Sequence, residues 1–340
     1  MDIDYVIAWV DGNDPKHRML RRQFPPDGKE CRADEAAGDV RFQENGEIYY
    51  NIASVLKYAP FIRRIIVVTD NQKPKHLDAF FAEGLCGRDF IRLVSHDEIF
   101  NGLPAPRPNF NSLAIEAALW RIPGLSEHFV YANDDFFLNA PLSPEAFFIG
   151  GRPVIGGQWA RPERKRLKVR VRNALRKLTG SGPATRPSYR KALDLGAALA
   201  GVCDGYLVHE HHPHPLRRST FEQFFSGDMD ALNRQVSYRY RHADQFNPVS
   251  LANHLEISRH GVPIGPRKHV AYLTPDMGRR IPPQLERIRS GSVPFGCIQS
   301  FEAFPAGVAG QMHRILTEKF YDTLPRELTL GARGVPSMAA

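Results

Sequence analysis

The sequence predicts an α/β protein built on a mostly parallel sheet. β-rich apolar runs alternate with segments of helical apolar spacing through the first half of the chain, and each apolar run stops at a turn or loop signal. Four aspartates, Asp11, Asp70, Asp134 and Asp135, fall directly behind those runs. Strand alternating with helix signals a parallel sheet covered on both faces. Ligands of such sheets bind outside the carboxyl ends of the strands, so the aspartates share the rim where a site is expected. The alternative for each is that Asp simply starts a turn.

The elements follow in order. Ile3 to Val10 is a strand ending at the loop Asp11-Gly12-Asn13-Asp14-Pro15. Glu44 to Tyr58 places Ile48, Ile52, Val55 and Leu56 at helical spacing and is stopped by Pro60. Ile65 to Val68 is a buried strand leading to Thr69-Asp70, Pro74 to Glu83 a helix with proline near its start, and Phe90 to Val94 a strand. Asn111 to Leu119 is a helix with Ser112 as a candidate cap, and Phe129 to Ala132 a strand ending at Asn133-Asp134-Asp135. Later helical patterns lie at Thr220–Phe225, Val249–Glu256, Gln284–Arg289 and Gly310–Tyr321. The expected organisation is an α/β core over 1–150, a basic helical insert over 151–208, and the rest of the catalytic domain, largely helical, over 209–330.

The 340 residues, 42% hydrophobic and 24% charged, suit a globular core and exclude a wholly disordered chain. The N-terminus has neither a basic n-region nor an apolar h-region, and the longest apolar tract, near Ala192 to Val202, is shorter than the roughly 20 residues of a membrane span. Cys31, Cys86, Cys203 and Cys297 lie far apart without a C-x-x-C pair, as reduced and mostly buried thiols would. These points together set an expectation of a cytoplasmic protein. The net charge of +8 favours polyanionic partners without choosing among them. Twelve Lys or Arg residues crowd into Arg161–Lys191 against one acid, Glu163, with Leu167, Val171, Ala174, Leu175 and Leu178 at helical spacing. A basic amphipathic helix suits an anionic membrane surface; a solvated surface helix or a contact with polyanionic substrate are its other readings.

Four constellations carry chemistry. Trp9-Val10-Asp11-Gly12-Asn13-Asp14-Pro15 brings an aromatic ring and a carboxylate to a tight loop whose N–H groups can approach a phosphate; an ordinary strand-turn competes. Asn133-Asp134-Asp135 can hold a divalent cation that neutralises a diphosphate, or supply a general base. His209-Glu210-His211-His212-Pro213-His214 suits proton transfer, phosphate binding or a metal, though Pro213 argues against a helical ligand pair; a solvated loop is the plain alternative. Tyr238-Arg239-Tyr240-Arg241-His242-Ala243-Asp244 interleaves aromatic and basic residues, as phosphate or single-stranded nucleic acid requires. No complete nucleic-acid-binding motif accompanies it, so nucleic acid is not an expected partner.

Together these segments resemble the Stealth family of hexose-1-phosphate transferases, which includes bacterial capsule polymerases and the lysosomal-enzyme GlcNAc-1-phosphotransferase. Ile3 to Asp14 looks like the family's first region. The second runs from Arg41-Phe42-Gln43-Glu44-Asn45 through Val67-Val68-Thr69-Asp70, Phe110-Asn111-Ser112-Leu113-Ala114-Ile115-Glu116 and Arg121-Ile122-Pro123-Gly124 to Tyr131-Ala132-Asn133-Asp134-Asp135. The third resembles His211-His212-Pro213-His214 through Arg241-His242-Ala243-Asp244. There are two departures. The fourth region's Cys-Leu-Asn-Asp-like run is answered only by Cys297-Ile298-Gln299-Ser300, without the acid. A common Leu-Arg-Ser run is replaced by Ile52-Ala53-Ser54, which leaves a phosphate-facing arginine to come from elsewhere, such as Arg41.

The resemblance implies a Rossmann-like, GT-A-related fold and attack of an acceptor hydroxyl on the phosphate next to the sugar. The donor would be a nucleotide sugar, a UDP-linked hexose or N-acetylhexosamine, and the acceptor a capsule or cell-surface polysaccharide. By the same analogy Trp9, Asp11, Gly12, Asp14, Arg41, Asn111 and Ser112 would hold the donor. Glu116, Asp134, Asp135, His211, His214 and Arg241 would form the catalytic set, with Asp134 and Asp135 on a divalent cation, Mg²⁺. The enzyme would lie in the cytoplasm, peripheral at the inner face of the plasma membrane. A conventional metal-dependent glycosyltransferase and a non-catalytic polyanion- or lipid-binding protein are the competing readings.

Overall fold

A computed structural model describes residues 1–26, 45–163 and 187–330. Arg41, Cys31 and most of the basic Arg161–Lys191 helix lie outside the described residues. The first four strands are β1 (Ile3–Ala8), β2 (Arg64–Thr69), β3 (Ile91–Ser95) and β4 (His128–Asn133). Short strands follow: β5 (Phe136–Leu138), β6 (Phe148–Ile149), β7 (Arg152–Pro153), β8 (Gln158–Ala160), β9 (Tyr206–Val208), β10 (His214–Arg217), β11 (Val270–Leu273) and β12 (Phe295–Ile298). The main sheet has the order β10-β4-β1-β2-β3. Its first four strands run parallel, and β10 closes one edge antiparallel to β4, with His214 opposite Tyr131. The chain leaves β1 toward β2 and β3, then returns to β4 on the other side of β1. Strand order therefore reverses between β1 and β4, the crevice where open α/β sheets take their ligands.

Period-two alternation explains the two-sided core. Tyr5, Ile7, Ile65, Val67, Val130 and Ala132 face the Glu47–Tyr58 helix and the C-terminal elements. Val6, Ile66, Val68, Phe129 and Tyr131 face the Ser112–Ala118, Arg218–Gly227 and Pro248–His260 helices. The α/β, mostly parallel class is thus the one read from the sequence. The C-terminal part carries a strand pair as well as helices: β11 runs parallel to β12, and β12 antiparallel to β5. This small sheet sits beside the corner at Asp134 and Asp135, where β4 passes into β5. Gly296 is needed there, because a Cβ on it would lie 2.1 Å from the Phe137 ring.

Several boundaries differ for local reasons. β1 ends at Ala8 rather than Val10, and the chain turns so that Trp9 and Val10 reach the crevice. The helix read over Pro74–Glu83 is confined to Leu77–Ala82, since the His76 amide donates to the Tyr49 hydroxyl instead of starting a helical turn. Asn111, not Ser112, caps the Ser112–Ala118 helix, accepting from the Leu113 amide. Cys203 is exposed rather than buried; Cys297 is buried and Cys86 partly so.

Candidate active site

The Asp11–Pro15 loop is self-supporting. Asp11 accepts from the Asn13 amide at 2.8 Å, while the Gln72 side chain bonds both the N–H and the C=O of Asp11 at 2.9 Å. Asp14 caps the Pro15–Gln23 helix by accepting from the His17 amide, and buried Arg21 donates to the Gly12 carbonyl. Asp11, Gly12 and Asp14 therefore build the loop, and none is among the described residues lining the two cavities below. What the loop delivers to the crevice is Trp9 and His17.

Two cavities open at the carboxyl ends of β1 and β4. The first, about 270 Å³, has an uncharged polar end and an acidic end. Trp9, His17, His96 and Asn109 form the former. Burial holds His17 down to about 4 and His96 down to about 3, so both rings are neutral at physiological pH. Glu47, Asp134, Asp135 and Glu302 form the acidic end. Burial pushes Asp135 up to about 7; the Cys297 thiol, donating at 3.5 Å, opposes that rise and nearby Glu47 reinforces it. Asp135 Oδ1 is buried and has no hydrogen-bond partner among the described residues.

The second cavity, about 510 Å³, is lined by Glu116, Tyr131, Tyr189, His209, Glu210, His211 and His214, among others. The His-rich segment is neither a solvated loop nor a helix, because β10 joins the sheet edge and takes the rings inside. His209, His212 and His214 are buried, with centroids 4.5 Å apart for His209–His214 and 4.6 Å for His212–His214. Burial lowers the pKa of all four histidines. Burial also drives Glu116 up to about 7, an effect that Arg241 and hydrogen bonds with Ser112 and Tyr131 partly offset.

The cavities share four residues: Asn133, Asp135, Arg241 and Gln299. Arg241 is the only arginine or lysine among the described residues lining either one. Its guanidinium donates to Ser112 Oγ at 2.6 Å. Asn111 is fully buried and works behind it: its amide donates to the Tyr238 and Tyr240 carbonyls and to Gln245 Oε1. Of the residues expected to hold the donor, Trp9 and Ser112 thus line the first cavity and Asn111 pins the segment that carries Arg241. Ala53, at the departure from the Leu-Arg-Ser run, is in the core and reaches neither cavity.

Sequence reasoning missed Glu47, His17, His96, Gln299 and Glu302. The rule that picked out the aspartates would also have found His96, which directly follows β3. Gln299 lies in the Cys297–Ser300 run and Glu302 just behind it; the backbone of that run folds onto the corner through the Ile298 amide, donating to the Asp135 carbonyl at 3.1 Å. Among the described residues, no three His, Cys, Asp or Glu side chains converge as a ready-made metal cage.

Fold and site together define an α/β protein with a two-chambered polar cleft at a topological switch point, its chambers meeting at a carboxylate and a guanidinium. A profile described as Stealth protein CR2, conserved region 2, matches residues 41–153. The capsular polysaccharide phosphotransferase of Actinobacillus suis is 44% identical over 147 residues, covering 43% of this chain and 38% of that protein. An exopolysaccharide phosphotransferase of Streptomyces coelicolor is 35% identical over 251 residues, covering 73% of this chain and 42% of that protein. The chain belongs to the Stealth family. It spans less than half the length of these two relatives. Among solved structures, the galactosyltransferase LgtC in complex with donor and acceptor sugar analogs aligns over 98% of both chains at 15% identity with a TM-score of 0.43, too loose a likeness to carry an argument.

Proposed function

We propose that this protein transfers a sugar-1-phosphate from a nucleotide sugar to a hydroxyl of a capsule-type polysaccharide, forming a phosphodiester and releasing the nucleoside monophosphate. The observation that carries this reading is the pair of cavities joined at Asp135 and Arg241. A donor in the first and an acceptor in the second would bring phosphate and hydroxyl together at those residues, the positioning that phosphoryl transfer mainly requires. The names of the relatives, capsular polysaccharide phosphotransferase and exopolysaccharide phosphotransferase, support the phosphotransfer and the polysaccharide.

In this reading the nucleoside lies toward Trp9 and His96, and the diphosphate reaches Arg241. The acceptor oxygen forms a new bond to the sugar-bearing phosphorus as the bond to the nucleoside monophosphate breaks. The hydroxyl proton passes to a base in the second cavity. Glu116 suits that role, because a base works best with a pKa near the working pH; His211 and His214 line the same cavity. A divalent cation such as Mg²⁺ fits the first cavity, since hard cations take oxygen ligands and usually need only one or two carboxylates besides substrate phosphates. Asp134 and Asp135 would hold it, and the unpartnered Oδ1 of Asp135 suits a ligand of that kind. When bound, the ion would supply neutralising charge for the diphosphate.

No described helix is long and apolar enough to cross a membrane. The basic Arg161–Lys191 segment is the part we assign, from its charge alone, to peripheral contact with an anionic cytoplasmic leaflet.

The test is phosphorus NMR on the protein with UDP-GlcNAc, Mg²⁺ and a capsule oligosaccharide. A new phosphodiester resonance with release of UMP is expected. Release of UDP without that resonance would replace this reading with ordinary glycosyl transfer.

The raised pKa of Glu116 yields a further expected result. Between its ordinary value of 4.5 and about 7, the folded state holds a proton that the unfolded state has lost. Stability therefore falls as pH rises through that window, and the full penalty applies above it. Glu116→Gln should leave Tm unchanged near pH 4 and raise it at pH 8, by up to about 3 kcal/mol in unfolding free energy. The native rate should climb with pH to a plateau above about 7, while the variant loses about 10²-fold and that climb with it. Thermal melts and pH–rate profiles at the two extremes read both effects.

A further inference from the structure

We propose that the Tyr189 ring, backed by the stacked rings of His211 and Tyr272, is the platform for the terminal sugar of the acceptor, and that this sugar is an uncharged pyranose; the proposal rests on the reading of the second cavity as the acceptor chamber. His211 lies between the two tyrosines, 4.9 Å and 8° from Tyr272 and 5.9 Å and 23° from Tyr189. The outermost ring, Tyr189, belongs to a residue that is 44% exposed, although it lines a cavity whose other aromatic residues are mostly buried. A large aromatic surface left partly open beside a polar chamber gains by being covered with apolar surface. A pyranose offers such a surface, having a face of C–H groups and a rim of hydroxyls. With the C–H face on the platform, the rim is turned to polar groups of the same cavity such as Asn247.

The platform is fixed and uncharged. The Tyr189 hydroxyl lies 3.3 Å from His209 Nδ1, and the Tyr272 hydroxyl donates to Gln299 Oε1. Burial of His211 favours its neutral form. The other charges of the chamber select against an anion. Its lining holds three carboxylates, Glu116, Asp135 and Glu210, against the single guanidinium of Arg241. Glu210 is already matched by Arg267, so the carboxylates left to face Arg241 are Glu116 and Asp135. Above about pH 7, where Glu116 and Asp135 are ionised, a uronate or sialate at the acceptor terminus would meet more negative than positive charge in a partly desolvated space.

The proposal is tested by calorimetric titration of the full chain with two oligosaccharides, one ending in N-acetylglucosamine and one in glucuronate. At pH 8 and without added divalent cation, native protein should bind the neutral one about tenfold more tightly, the equivalent of about 1.4 kcal/mol. Tyr189→Ala should weaken binding of the neutral probe by about tenfold, and Tyr189→Phe, which keeps the ring, by less than about threefold. In steady-state assays Tyr189→Ala should raise the acceptor KM by a similar factor and the donor KM by less than about twofold. Equal rises in both KM values, unchanged binding of the neutral probe by Tyr189→Ala, or tighter binding of the glucuronate probe would each overturn the platform. Selective neutral-sugar binding without any phosphodiester product would leave the platform standing and overturn the transfer reaction instead.

Discussion

Asp135→Asn is expected to lower turnover by about 10³-fold, from the loss of charge stabilisation at the transferring phosphoryl group. The same substitution should leave the protein at least as stable. The Asp135 carboxyl is held up at about 7 by burial, with Glu47 adding repulsion, so its ionised form is a cost to the folded state. An amide of the same shape removes that cost and still offers an oxygen to the Cys297 thiol. Release of UMP and the melting temperature, measured on the same preparation, separate chemistry from folding. Activity within about tenfold of native, with the fold intact, would remove Asp135 from the reaction.

Arg241→Ala should cost about 10³-fold in kcat/KM, because arginines that neutralise a transferring phosphoryl group contribute on that scale. Arg241→Lys should recover only part of it, since an ammonium cannot reproduce the planar fork of the guanidinium. The structure adds a second effect. Arg241 is the foremost influence pulling the Glu116 carboxyl down, so its removal raises Glu116 above about 7. The remaining activity of Arg241→Ala should then reach its plateau at higher pH than that of native protein. Arg241→Lys, which keeps the positive charge, should stay near the native profile. A residual rate with the native pH profile in Arg241→Ala would show that the two residues do not communicate.

Much of the first sheet could be read from the sequence because its strands are short apolar runs that end abruptly. The rule that ligands gather at strand carboxyl ends then selected Asp134 and Asp135 without structural help. Glu116 came only through resemblance to known enzymes, since a glutamate on a helix has no local signal for sharing a cavity; the aromatic and basic Tyr238–Asp244 run already pointed to phosphate, and the resemblance singled out Arg241 within it. For the His-rich segment, composition left a solvated loop open beside the functional readings, and pairing of His214 with Tyr131 across the sheet edge decides burial. Reading Ser112 rather than Asn111 as the candidate cap was a local error. Both side chains can cap, and the extended backbone at Asn111 settles the matter. Gln299, Glu302 and Tyr189 were silent because they reach the cleft only through packing between segments far apart in the chain.

That distance also matters during synthesis. The four parallel strands are all available once Asn133 has been made, and they can collapse into a recognisable sheet. The thiol that bonds Asp135 lies 162 residues further on. A ribosome-bound intermediate would thus carry a nearly finished framework with one wall of its cleft missing, and its buried carboxylate would face water. The cleft should therefore be completed late, when β12 docks and its thiol reaches that carboxylate.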